Sequence, residues 1–131
     1  MQKLDEITVE AIREAELPNA NKVDADDLKA KGAATSDVVS LLLDLPGMSA
    51  YSAGGVSSLP AIHGMADDRV RIKLDGMDLI ASCPNHMNPA LSYSAPSQIG
   101  SAKVYAGITP VSVGGDSIGG SIVVDTLAPR F

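Results

Sequence analysis

The sequence has few aromatic residues, one cysteine and no long apolar run. Its 131 residues include three tyrosines, one phenylalanine and no tryptophan, so an apolar core must be built from aliphatic side chains. The single cysteine excludes a disulfide within the chain. No segment approaches the ~18 consecutive apolar residues that a membrane-spanning helix requires.

Basic residues are also scarce. The chain carries 10 Lys and Arg against 16 Asp and Glu, which gives a formal net charge of -6 at pH 7. Proteins that bind nucleic acid neutralise its phosphates with clustered Lys and Arg. The composition therefore argues against nucleic acid as a partner.

Glycine and proline, by contrast, are plentiful, with 12 Gly and 8 Pro. The length fits one domain, and residues 23–131 are predicted to form it with long loops. Residues 1–22 are predicted to form a flexible, charged N-terminal arm. A short β-prone island inside the arm, residues 7–9, is a candidate for adding a strand to another protein's sheet. A frayed terminus or a weak helix over residues 9–17 is the alternative.

Two short helices are predicted in the first half of the domain. Asp24 can cap a helix over residues 25–31. Thr35 or Ser36 can cap a second helix, in which apolar residues recur at helical spacing as far as Leu45.

A β-hairpin is the clearest local prediction. Apolar and polar residues alternate over 69–74 and again over 77–82, and Asp75-Gly76 between them favours a type I′ turn. We expect one buried face, with the polar residues on the other face meeting solvent or a partner; these are Arg69, Arg71 and Lys73.

Further strands are predicted over residues 102–108 and 121–126, and short extended pieces over 48–51 and 60–63. Helices followed by strands, without βαβ alternation, indicate the α+β class. Residues 83–98 contain three prolines and are predicted to form a long loop. Loops of this length in compact domains are usually functional or disordered.

A glycine-rich segment matches the G-x-S-x-G pattern of hydrolases, with Ser117 between Gly115 and Gly119. That pattern requires a following helix and a later histidine, whereas both His63 and His86 precede the serine. No lysine follows the glycines as in a phosphate loop. We predict tight turns and close backbone approach there, and no enzymatic activity for the chain.

The cluster with the most chemical information lies in the predicted loop, where Cys83, His86 and Met87 fall within five residues. Sulfur donors with an imidazole favour Cu(I), and zinc less well. The alternatives are a methionine that fills the core, a buried cysteine and a simple turn at Pro84-Asn85. Neighbouring strands carry three further candidate donors: His63, Met65 and Met77.

Taken together, these segments resemble the plug domain of TonB-dependent outer-membrane receptors. The resemblance covers nearly the whole chain, and the order and spacing of its motifs are more specific than any one of them. The motifs are Asp5-Glu6-Ile7-Thr8-Val9-Glu10-Ala11, Val23-Asp24-Ala25-Asp26-Asp27-Leu28, Leu45-Pro46-Gly47, Ile62-His63-Gly64, Asp68-Arg69-Val70, Leu74-Asp75-Gly76 and the glycine-rich residues 114–124.

The resemblance implies a plug-domain fold, with a small mixed sheet of about four strands, two or three short helices and long loops. It also implies a place inside a β-barrel of about 22 strands in the outer membrane, with the N-terminus facing the periplasm. The C-terminal domain of TonB would bind a TonB box in the arm, formed by Asp5, Glu6, Ile7, Thr8, Val9 and Glu10.

The loop from residue 83 resembles a subgroup that includes copper-handling receptors, in which a Cys-x-x-x-Met pair binds the metal. Cys83 and Met87 match that pair, and His86 is a third candidate ligand from the same cluster. The expected ligand is a metal ion, copper above all, or a metal chelate, and no resident cofactor is expected. Because the family continues into a barrel and this chain stops at Phe131, we expect either an excised plug or a stand-alone periplasmic metal-binding protein derived from one.

Overall fold

A computed structural model describes residues 20–53 and 57–129. The predicted TonB box lies outside these residues. Within them the chain forms seven strands and one α-helix. The strands are β1 (Ala20–Val23), β2 (Met48–Ala53), β3 (Ser57–Ile62), β4 (Val70–Leu74), β5 (Met77–Leu79), β6 (Ile99–Ala106) and β7 (Gly120–Thr126), and the helix is α1 (Ala25–Gly32).

The α+β class is confirmed, and the strands form two sheets. The larger sheet has the order β1-β6-β7-β4-β5 and is mixed, because β4 pairs with β7 in parallel and the other pairs are antiparallel. β2 and β3, which correspond to the two predicted extended pieces, pair with each other. The four predicted strands therefore form the larger sheet together with β1, an edge strand that runs from the end of the predicted arm (residues 20–22) to Val23.

The predicted second α-helix is instead a 3-10 helix, Val38–Leu42, and its N-cap is Asp37 rather than Thr35 or Ser36. The Asp37 carboxylate accepts a hydrogen bond from the Val39 N–H at 3.1 Å. The Ser40 hydroxyl bonds back to the Asp37 carbonyl at 2.6 Å, a local bond that competes with the α-helical pattern. The segment still places its apolar side chains in the core, where Val39 and Leu42 are fully buried.

The core lies between this 3-10 helix, α1 and the larger sheet. It is aliphatic, as the shortage of aromatics requires, and its fully buried members include Val39, Leu42, Ile62, Val104, Ile122 and Val124. No helix in the described part of the chain has both the length and the apolar character needed to cross a membrane.

The predicted hairpin is confirmed, with β4 and β5 joined through Asp75 and Gly76, whose φ angles are 50° and 80°. Positive φ at both central residues is what a type I′ turn requires. The Asp75 carboxylate also accepts a hydrogen bond from the Thr126 N–H at 2.8 Å. The turn is therefore fastened to the end of β7.

The strand registers bring several loops to one end of the larger sheet. Gly120 at the start of β7 pairs with Ala106 at the end of β6 and with Val70 at the start of β4. Ala20 at the start of β1 pairs with Tyr105. The arm, the glycine-rich segment and the loop after β5 therefore meet the sheet at this same end.

Candidate functional site

The loop that carries the sulfur donors begins soon after β5 and folds into a turn. The His86 N–H donates to the Cys83 carbonyl at 2.9 Å, with Pro84 and Asn85 as the two central residues. Proline favours the first central position of such a turn because its φ is already fixed. The turn expected at Pro84-Asn85 is thus present, and it sets Cys83 and His86 at its two ends.

The three candidate ligands face different surroundings. Met87 is 65% exposed, whereas Cys83 is half-buried. The side chain of His86 is 16% exposed, and its Nε2 atom lies 3.9 Å from Asp67 Oδ1 and 3.7 Å from Asp68 Oδ1. The imidazole is therefore directed at two carboxylates, which sets it apart from the sulfur donors.

Two of the suggested additional donors, His63 and Met77, have other surroundings. The ring of His63 packs on Gly47, where a Cβ atom would come within 2.6 Å of it, and the backbone N–H of His63 donates to the Gly47 carbonyl at 2.8 Å. Met77 lies at the turn end of the hairpin, paired with Leu74. In the described ranges, no three His, Cys, Asp or Glu side chains converge to hold a metal ion. Cys83 and Met87 are then the two soft ligands that the loop offers.

Tyr93 connects the two ends of this loop, a contact that sequence reasoning missed. Its hydroxyl accepts a hydrogen bond from the Ser82 N–H at 2.9 Å and donates to Ser82 Oγ at 2.7 Å. The Asn88 carbonyl lies 3.4 Å from the same hydroxyl. Ser82 and Asn88 directly flank the segment from Cys83 to Met87, so one phenol closes the ligand loop.

A cavity of about 350 Å³ lies beside the loop. Its apolar lining comes from β4 and the residues near it, and its polar lining includes Asp67, Asp68, Arg71, His86 and Asp116. His86 is the one of the three candidate ligands that lines this cavity, which again separates it from Cys83 and Met87.

Arg71 is one of the polar residues that line the cavity. Its Nε and Nη2 atoms donate to the two carboxylate oxygens of Asp78 at 2.7 and 2.6 Å. Its Nη1 atom donates to the Gly114 carbonyl at 2.6 Å and also contacts Asp116. Arg71 therefore joins the hairpin to the glycine-rich segment on a face that still meets solvent, as expected, since the side chains of Arg71 and Asp116 are 27% and 80% exposed.

This ion pair makes stability depend on pH. The hydrogen bond from Arg71 lowers the pKa of Asp78 from its ordinary value, and the field of Lys73 acts in the same direction. Because the folded-state pKa is the lower one, the stabilisation is present above the unfolded value of about 4 and is lost as pH falls through the folded value. We expect the melting temperature of the wild type to fall more steeply below about pH 4 than that of Asp78→Asn. If the melting temperatures of the wild type and Asp78→Asn fell equally with pH across that range, this expectation would be contradicted.

Comparisons with known proteins agree with the resemblance that the sequence motifs indicate. The family model described as "TonB-dependent Receptor Plug Domain" matches residues 13–121. A search of curated protein sequences gave no match. Among solved structures, the copper transporter OprC superposes with a TM-score of 0.72 and 25% sequence identity, over 87% of this chain and 17% of OprC.

Two further solved structures have the same fold at lower identity. The ferric enterobactin receptor PfeA from Pseudomonas aeruginosa, a mutant in complex with enterobactin, has a TM-score of 0.71 at 18% identity, over 88% of this chain and 18% of PfeA. The Serratia marcescens hemophore receptor HasR has a TM-score of 0.67 at 16% identity, over 84% of this chain and 17% of HasR. The chain thus spans less than a fifth of each of these three proteins, and it belongs to the TonB-dependent receptor plug domain family.

Proposed function

We propose that this chain is the plug of a TonB-dependent outer-membrane transporter for a metal such as copper, and that Cys83 and Met87 bind the metal. The observation that carries the metal assignment is the loop geometry. A turn and a tyrosine hydroxyl hold the half-buried Cys83 and the exposed Met87 on one short segment. Thiolate and thioether donors suit Cu(I) better than they suit Mg²⁺, Ca²⁺ or Mn²⁺.

The comparisons support the copper assignment only through one relative. OprC is named as a copper transporter, whereas PfeA and HasR are named as receptors for enterobactin and a hemophore. A metal ion or a metal chelate is accordingly the cargo class, and the sulfur pair is what favours copper within it. His86, directed at Asp67 and Asp68, would take part only after leaving those carboxylates.

The proposal places the chain inside a barrel. Each of the three structures described above carries the plug as less than a fifth of a longer chain, which supports a β-barrel partner over a stand-alone periplasmic metal-binding protein. Plug domains are transport modules, and we propose no enzymatic role for this one. The N-terminus would face the periplasm, where the C-terminal domain of TonB would pair with residues 5–10.

Titration with Cu(I) tests the metal site. We expect Cys83→Ser and Met87→Leu each to weaken Cu(I) binding at least about tenfold, because each removes one soft ligand. Affinity would be measured on the reduced 131-residue chain by competition with a chromophoric Cu(I) chelator. Met77→Leu is the matched control, because it removes an exposed thioether (60% exposed) at the far end of the hairpin. Equal affinities for wild type and Cys83→Ser would refute the assignment.

A further inference from the structure

We propose that Tyr93 is a positioning residue for the metal-binding loop, setting the separation of Cys83 and Met87 without touching the metal. This inference rests on the proposed function. It starts from the contacts of one hydroxyl group, which accepts from the Ser82 N–H and donates to Ser82 Oγ. The Asn88 carbonyl, 3.4 Å away, is the second acceptor that the phenol proton can reach.

The partners of the Tyr93 hydroxyl lie at the two ends of the metal-binding loop. Ser82 immediately precedes Cys83, and Asn88 immediately follows Met87. A flexible segment that must bring two ligands together loses conformational entropy on binding. When the phenol accepts from the Ser82 N–H and gives its one proton to the Asn88 carbonyl, it holds the two ends and removes part of that cost. The Cys83–His86 turn removes more by shortening the path between the ends.

Tyr93 is itself held in place by a short helix that packs on the core. It ends a 3-10 helix, Ala90–Tyr93, whose first two residues, Ala90 and Leu91, are 5% and 1% exposed. The Ser92 hydroxyl bonds to the Pro89 carbonyl at 2.6 Å. The core therefore anchors the helix, while the ring of Tyr93 remains 48% exposed and points its hydroxyl at the loop. A change confined to that hydroxyl should leave the core intact.

The test is Tyr93→Phe, which removes the hydroxyl and keeps the ring. We expect Cu(I) affinity to fall about tenfold, in the range typical of residues that orient metal ligands, while the melting temperature stays that of wild type. Tyr51→Phe, an equally conservative change at a 55% exposed tyrosine of β2, is the control and should leave affinity unchanged.

A double-mutant cycle separates positioning from a general structural role. If Tyr93 acts by holding Cys83 and Met87 together, its effect on Cu(I) affinity should shrink when Met87→Leu has already removed one ligand. Effects that simply add would overturn the proposal. So would a Tyr93→Phe affinity equal to wild type.

Amide hydrogen exchange keeps the test independent of the metal. The Ser82 amide donates to Tyr93, so its exchange should speed up in Tyr93→Phe and stay unchanged in Tyr51→Phe. If the wild type bound no Cu(I), the proposed function would fail, and the exchange result would decide the Tyr93 contact alone. Unchanged exchange at Ser82 would overturn the inference in either case.

Discussion

Gly120→Ala should destabilise the fold by about 2–6 kcal/mol, the sum of a strained backbone and an overpacked sheet. Gly120 has a φ of +125°, and a Cβ atom there would lie 2.1 Å from the Tyr105 carbonyl oxygen. That oxygen belongs to β6, which neighbours β7, the central strand of the larger sheet. Neither strand can move aside without breaking the pairing of Gly120 with Ala106 and Val70. Such a loss is a large share of a typical net stability of about 5–15 kcal/mol.

Chemical denaturation of Gly120→Ala beside Gly76→Ala would separate the two causes. Gly76 also has positive φ, +80°, but a Cβ atom there meets nothing within 4 Å. Its substitution should therefore cost only the conformational penalty of about 1–2 kcal/mol. Equal losses for the two variants would show that crowding against Tyr105 contributes nothing, contrary to the expectation.

Much of the fold follows from local signals in the sequence. The Asp75-Gly76 turn and the alternation on either side of it are sufficient to specify β4 and β5, because both depend on neighbouring residues only. Close backbone approach in the glycine-rich segment was also expected, and Gly120 is an instance of it. β1 could not be predicted in this way. Its sequence, Ala-Asn-Lys-Val, has little β-propensity, and it is a strand because β6 offers a free edge.

In the candidate site, too, local features could be predicted from the sequence and long-range contacts could not. The Cys83–His86 turn is predictable from Pro84 and Asn85, and the spacing of Cys83 and Met87 is readable directly. The partners of Tyr93 and Arg71 are not, because their contacts span 11 residues from Tyr93 to Ser82 and 45 residues from Arg71 to Asp116. Such contacts depend on which loops the sheet brings to one end, and no local pattern specifies that.

The geometry at the start of β1 bears on how a pull on the arm would reach the plug. β1 is a four-residue edge strand that pairs only with β6 among the described strands. Its first residue lies at the sheet end where the glycine-rich segment and the loop after β5 also begin. Under the proposed function, force applied through residues 5–10 would detach β1 first, because an edge strand has the fewest backbone hydrogen bonds to lose.

Thr8→Pro should abolish binding of the TonB C-terminal domain to the 131-residue chain. In strand addition, backbone hydrogen bonds supply the affinity, and proline removes an N–H donor. Thr8→Ala keeps that donor and should bind nearly as well as wild type. Isothermal titration with the purified TonB domain measures all three chains, and unchanged binding by Thr8→Pro would show that the Thr8 N–H is not a ladder donor.

Alternation along the arm gives the sharper form of this test. Successive residues of an added strand direct their N–H groups to opposite sides, so only every second one bonds to the partner. If the Thr8 N–H is a ladder donor, that of Val9 points away, and Val9→Pro should weaken TonB binding much less than Thr8→Pro. Equal losses at both positions would mean that TonB recognises the side chains or a different backbone conformation. The pairing proposed for residues 5–10 would then be wrong, even though the arm itself would remain the binding segment.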